Sequence, residues 1–411
     1  PGGSTASPSR PDQGVDGVDG VDGVDAQVSE SPSGNSVFGE AQPAPMAAVG
    51  ETLIEGTIDG IDDVDMYALG PAVAGDRVTL DVVGQDGLNT VAALFDNAGD
   101  LIDANDDRSY YAGKIDPHIV RVIRENSENL YLGVAVSRGT HFASSSGRYD
   151  QGSYNVHVLR EPGAVVVPAG QQVVYLNFEG GDQVQIGLEP VEVMRPFSAE
   201  SISGRFAGQT EYVINLVLDH MRTDYTAYNV VIHDSKHDPI PDGQYSKLYF
   251  GNYNAAYLGL ADNVDTGNAY LEQEAIIYSE DIALFESLWP SAEEVAQALA
   301  NIASHELGHL LGLEHTAEAQ DLMSTAATAR QVLEGDASFL RAPLQSAVFP
   351  LGWQNNPHLL LLNVGANPFT EVSARLRLMD AVPRPSTSWR DELPDVPIVQ
   401  CSRCSHDHAG H

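Results

Sequence analysis

Lysine is almost missing from this sequence, with only Lys114, Lys236 and Lys247 in 411 residues. Counting arginine, 21 basic residues face 58 acidic ones, a formal net charge of −37. Such a surface repels polyphosphates and anionic membranes and favours solubility or cation binding, so nucleic acid is a poor partner. A salty medium would suit it equally. Cysteine is as scarce: Cys401 and Cys404 stand together near the C-terminus, so no disulfide framework supports the folded domains. No apolar run reaches the ~20 residues of a transmembrane helix. The chain opens on Pro1 with no export signal in view, which reads as a processed or trimmed chain.

What is there falls into five stretches. Residues 1–48, rich in Gly, Ser, Pro and Asp with a repeat from Val15-Asp16-Gly17 to Val24-Asp25, read as a disordered low-complexity tether. A calcium-binding array is the sharper reading of the repeat. Residues 49–160 alternate short strands with turn residues: Arg77–Val82, Val91–Phe95, Leu130–Val136 and Tyr154–Val158, with Asp96–Asp100 and Asn105–Asp107 between them. No helical period interrupts them, so an antiparallel β-sandwich is expected. Residues 161–171 form a Pro/Gly linker. From 172 to 356 the period changes to that of an α/β (α+β) layer. Strands are expected at Val173–Phe178, Val230–Ile232, Lys247–Phe250 and Ala275–Tyr278, with helices at Thr210–Met221 and from Ser291 to Leu311. A last helix is expected around Leu344 to Trp353. Residues 357–411 are a C-terminal extension ending in a Cys/His-rich tail.

The chemistry sits in Ser304-His305-Glu306-Leu307-Gly308-His309-Leu310-Leu311-Gly312-Leu313-Glu314-His315. Residues four apart share a helix face, so His305 and His309 can offer imidazole nitrogens to one ion. Glu306 lies beside that ion without having to bind it. Gly312 is the expected left-handed stop, after which the chain can swing His315 in as third ligand. Three protein ligands leave one tetrahedral position open, the arrangement of a catalytic zinc.

The spacing His-Glu-x-x-His-x-x-Gly-x-x-His resembles the metzincin metallopeptidases, and the chain looks most like their matrixin-like branch. That resemblance implies a zinc metalloendopeptidase acting on protein or peptide substrates, secreted or at the cell surface. It implies Zn2+ at His305, His309 and His315, Glu306 as general base, and a methionine turn in Asp321-Leu322-Met323-Ser324 with Met323 beneath the metal. It also implies that Ala275–Glu280 is the edge strand pairing with substrate. The chain departs from the branch in having no Pro shortly after Met323, no prodomain cysteine motif and no tyrosine ligand. Separately, the order Gly-Asp-Arg-Val-Thr-Leu through Leu-Phe-Asp, Asn-Asp-Asp and Tyr-Leu-Gly-Val to Gly-Ser-Tyr-Asn-Val resembles bacterial pre-peptidase C-terminal domains. These are accessory sandwiches of secreted peptidases.

Weaker signals remain. Asp96, Asp100, Asp103, Asp106 and Asp107 could supply oxygen ligands to Ca2+, or simply face solvent. Cys401, Cys404, His406, His408 and His411 could hold a metal, but the spacing matches no standard four-ligand finger. The rival function is a surface-binding or adhesive protein with a vestigial metallopeptidase domain. Glu306 and the three histidines, all intact, weigh against it. The sandwich holds no candidate catalytic group, so residues 49–160 are expected to fold alone and to be dispensable for peptide-bond chemistry.

Overall fold

In the computed structural model, residues 24–369 are described except 32–33, 48–49, 86, 109–113, 139–149 and 188. The Cys/His tail and the repeat before Val24 lie outside the described residues.

Strands built on alternating apolar residues come first. They are β1 (Val24–Ser29), β2 (Gln42–Pro43), β3 (Gly50–Ile58), β4 (Val64–Ala72), β5 (Arg77–Gly84), β6 (Thr90–Phe95), β7 (Leu101–Asn105), β8 (His118–Val122), β9 (Ser127–Val136) and β10 (Gly152–Glu161). They form two five-stranded sheets, β1-β3-β10-β5-β8 and β2-β4-β9-β6-β7. In the first sheet a period of two sends Ile54, Val78, Leu80, Val82, Tyr154, Val156 and Val158 to one face. There they meet Tyr67, Leu94, Leu130, Leu132 and Val134 of the second sheet in a common core.

The expected boundary at residue 48 is corrected by this arrangement. Strand β1 pairs in parallel with β3, and β2 with β4, so part of the expected tether contributes a strand to each sheet. An exposed row of β3 backbone groups is the physical reason, since it is satisfied by a parallel neighbour.

Strand β6 reads Thr-Val-Ala-Ala-Leu-Phe, apolar without alternation, and all six residues are buried. A strand buried on both faces loses the polar half of its pattern. Its second face, with Val64, Met66, Val91, Ala93, Phe95 and Ala135, is covered by Leu344, Val348 and Phe349 from far along the chain.

The C-terminal half contains β11 (Gln172–Asn177), β12 (Gly181–Val184), β13 (Glu192–Met194), α1 (Ala199–Ile202), α2 (Thr210–Asp224), β14 (Val230–Asp234), β15 (Ser246–Gly251), β16 (Gly259–Ala261), β17 (Glu274–Tyr278), α3 (Ala292–Leu310), α4 (Ala329–Glu334), β18 (Arg341–Pro343), β19 (Trp353–Asn355) and α5 (Asn356–Asn363). The central sheet runs β14-β11-β15-β17-β16, parallel except for β16. Helices α2 and α3 bury Val213, Val217, Met221, Val295, Leu299 and Leu307 against one face. On the other face Tyr249, Ile276 and Tyr278 meet Val184, Ile186 and Met194.

Three expectations are corrected here. Strand β17 is not the sheet edge, because it pairs with β15 on one side and β16 on the other; the edge is the short antiparallel β16. Ser279 and Glu280 have already turned into a 3-10 helix. No helix forms over Leu344–Trp353. That segment turns onto the second sheet, and the last helix is α5, whose Leu360, with Val364 just beyond it, is fully buried in the C-terminal core. The boundary at 356 therefore cuts through a packed unit.

Candidate metal centre

Helix α3 starts where its sequence says. Ser291 Oγ accepts from the Glu294 backbone N–H, and the Glu294 carboxylate accepts from the Ser291 N–H (2.6 Å), a reciprocal capping box. It ends at Gly312, with φ +89°. Leu313 N–H bonds to the Gly308 carbonyl and Gly312 N–H to that of His309, the paired closure that a left-handed glycine permits.

This closure orients the imidazoles. Turning back, the chain presents the Leu313 carbonyl to His309 Nδ1 at 2.7 Å, while the Leu322 carbonyl lies 2.7 Å from His305 Nδ1. A carbonyl only accepts, so each Nδ1 carries the proton and each Nε2 keeps its lone pair. Those Nε2 atoms converge: His309 lies 3.1 Å from His305 and 3.1 Å from His315. Tetrahedral coordination at about 2.0–2.1 Å sets nitrogens roughly 3.3 Å apart, so the donor set fits a zinc ion. Burial pushes the His305 imidazole down to about 4, which keeps it neutral and able to ligate. Among the described residues, this is the one place where three His, Cys, Asp or Glu donors lie within 4.8 Å of one another.

Two close approaches complete the centre. A Cβ on Gly308 would overlap Met323 Sδ, so the fully buried methionine lies directly against the helix that carries the histidines. A Cβ on Gly259 would overlap the Glu306 carboxylate, which therefore sits beneath edge strand β16. Beside His305 and Glu306 opens a cavity of about 60 Å³, its apolar wall formed by Leu258, Ile302, Leu322, Ala327 and Val332.

The expected calcium ligands do not assemble. Asp96 Oδ1 accepts from the Ala98 and Asp100 N–H groups, Asp103 pairs with Arg121 at 2.8 Å, and Asp100 pairs with Arg341 at 2.6 Å. Among the described residues no three of Asp96, Asp100, Asp103, Asp106 and Asp107 bring their oxygens within 4.8 Å of one another.

Sequence reasoning missed the roles of two residues. Asp321, buried under the methionine turn, accepts from Thr316 Oγ1 (2.6 Å), Asn356 Nδ2 (2.8 Å) and Leu340 N–H (3.1 Å); burial raises its carboxyl. Gln354, with no exposed surface, grips both peptide groups of Glu314, the residue before His315. The Asn356–Asp321 and Gln354–Glu314 contacts span 35 and 40 residues, and no local spacing marks them.

Residues 255–336 match the family model of the peptidase M10 family, matrixin, and this part of the chain is metzincin-like. No curated protein matches the sequence significantly. Among solved structures, archaemetzincin from Methanopyrus kandleri is similar at 14% identity over 41% of this chain and 89% of that one, with a TM-score of 0.25. The pre-peptidase C-terminal domain of collagenase from Bacillus anthracis is similar at 18% identity, over 29% and 93%, with a TM-score of 0.20. The periplasmic g-type lysozyme inhibitor PliG of Aeromonas hydrophila is similar at 17% identity, over 33% and 98%, with a TM-score of 0.23.

Proposed function

We propose that this chain is a zinc-dependent endopeptidase of extended protein substrates, secreted or at the cell surface, with its two N-terminal sheets forming an accessory sandwich. One observation carries the reading: three imidazoles, two of them held by backbone carbonyls at Nδ1, converge their Nε2 atoms beside the Glu306 carboxylate. His305, His309 and His315 would hold the zinc, which when bound lowers the pKa of water toward ~7 and polarises a carbonyl.

The chain's own groups do the rest. Glu306 takes the proton of the attacking water and delivers it to the leaving amine, so one carboxylate serves as base and then acid. Burial under β16 keeps Glu306 out of bulk solvent, which strengthens its interaction with charge developing nearby. A peptide lying along β16 in an extended form would add a strand, held by main-chain hydrogen bonds that any sequence offers. The cavity beside His305 would then take one substrate side chain, and its mostly apolar wall favours an apolar one.

Digestion of casein by the full chain tests this. Cleavage should stop with a strong chelator and return when zinc is restored. Cleavage that persists in the fully metal-stripped protein would overturn the assignment.

A further inference from the structure

We infer that Gln354 is a positioning residue for the third metal ligand, and that the N-terminal sheets hold it in place; this rests on the zinc reading above. The loop carrying His315 is not free after the helix. Gln354 Oε1 accepts from the Glu314 N–H and its Nε2 donates to the Glu314 carbonyl, both at 2.7 Å and both buried. On the other side of the loop, Gln345 N–H donates to the His315 carbonyl (3.0 Å), and Ala317 N–H to that of Pro343 (2.9 Å). His315 is thus clamped between a side chain of β19 and the segment leaving β18.

Those two strands are fastened to the other half of the molecule. Trp353 N–H donates to the Gly99 carbonyl (3.0 Å), and Asp100 accepts from Arg341 Nε (2.6 Å) and Asn355 Nδ2 (3.2 Å). Between the strands, Phe349 drives into the second sheet so deeply that a Cβ on Gly133 would overlap its ring, and it packs edge-on against Phe95 at 5.5 Å. Elsewhere the same boundary encloses a cavity of about 320 Å³, reaching from Val120 and Arg124 to Gly312 and Leu362. Arg124 also donates to Asn363 Oδ1 (2.8 Å) and Glu125 pairs with His358 (2.9 Å), but the Asp100 turn and the Phe349 plug are the attachments that bracket the His315 clamp.

This inference predicts, against the expectation from sequence, that residues 49–160 contribute to peptide-bond chemistry. A chain beginning near Ala164 would expose Leu344, Val348 and Phe349 and leave Arg341 without Asp100. Its β18–β19 pair would lose the surface that orders it. Groups that orient a ligand without touching the metal commonly change metal affinity by about 10–100-fold when removed.

The test measures release of zinc from the full chain into an excess of chromogenic chelator. Gln354→Met keeps the volume and removes both hydrogen bonds; zinc should leave about tenfold faster or more. Asp100→Ala should move release the same way, and combining it with Gln354→Met should give less than the sum, because both act through one clamp. Peptidase kcat should fall with little change in KM, and excess zinc should restore it. Leu80→Ala, in the core between the two sheets, should leave release unchanged while the protein remains folded. Release from Gln354→Met and Asp100→Ala within twofold of the parent would overturn the inference and leave the zinc reading intact. A parent that retains no zinc would remove both.

Discussion

Met323 Sδ occupies the space that a side chain on Gly308 would need. The methionine turn and the histidine helix are thus packed without a gap, and residue 308 sits immediately before His309. Overpacking such a contact costs typically 1–3 kcal/mol and shifts backbone. Gly308→Ala should lower the melting temperature and also speed zinc release, as read by chelator competition. A variant as stable and as zinc-retentive as the parent would show that Met323 can move aside at no cost.

Glu306→Ala removes the proposed base but none of the three nitrogens. Zinc content after dialysis should stay at one per chain while kcat falls by at least ~10². Parental turnover by a zinc-loaded Glu306→Ala protein would assign the proton transfer to another group.

Substrate pairing along β16 predicts sensitivity to the peptide backbone. N-methylation of amides next to the scissile bond removes donors and should raise KM or abolish turnover, with side chains unchanged. The informative comparison is one short peptide with and without the methyl groups. Equal kinetics would discard strand addition as the binding mode.

Asp281, with 1% of its surface exposed, anchors the chain ahead of β16 by accepting from the Asn254 N–H. Burial raises its carboxyl to about 7; the Asn254 hydrogen bond opposes this and Glu280 adds to it. A raised carboxyl binds its proton more tightly in the folded protein. Its contribution is therefore present in full below pH ~4 and is lost as pH rises through about 7. Asp281→Asn keeps an acceptor for Asn254 and never ionises. The melting temperature of the variant relative to the parent should climb between pH 4 and pH 8. A difference that stays flat over that range would show that Asp281 titrates as an ordinary exposed carboxyl.

Local chemistry by itself determined a good deal of this molecule. Ser291 and Glu294 start α3, and Gly312 ends it. The i, i+4 spacing puts His305 and His309 on one face, because all of these act within a turn or two of backbone. Short apolar runs between turn residues likewise marked β5, β6, β9 and β10 in the first half and β11, β14, β15 and β17 in the second. Only the tertiary structure decided what depends on distant partners. It set β16 rather than β17 at the sheet edge, a matter of which strand lacks a second neighbour. It turned Leu344–Leu351 into a plug, since those apolar residues cover β6 and β9 instead of packing as a helix face. It placed Gln354 on Glu314 and Asp321 on Asn356, pairings that bury polar groups and so must be satisfied. Hydrogen bonds and apolar faces across 35 to 241 residues leave no periodic trace along the chain, so the contacts that hold the His315 loop are visible only after folding.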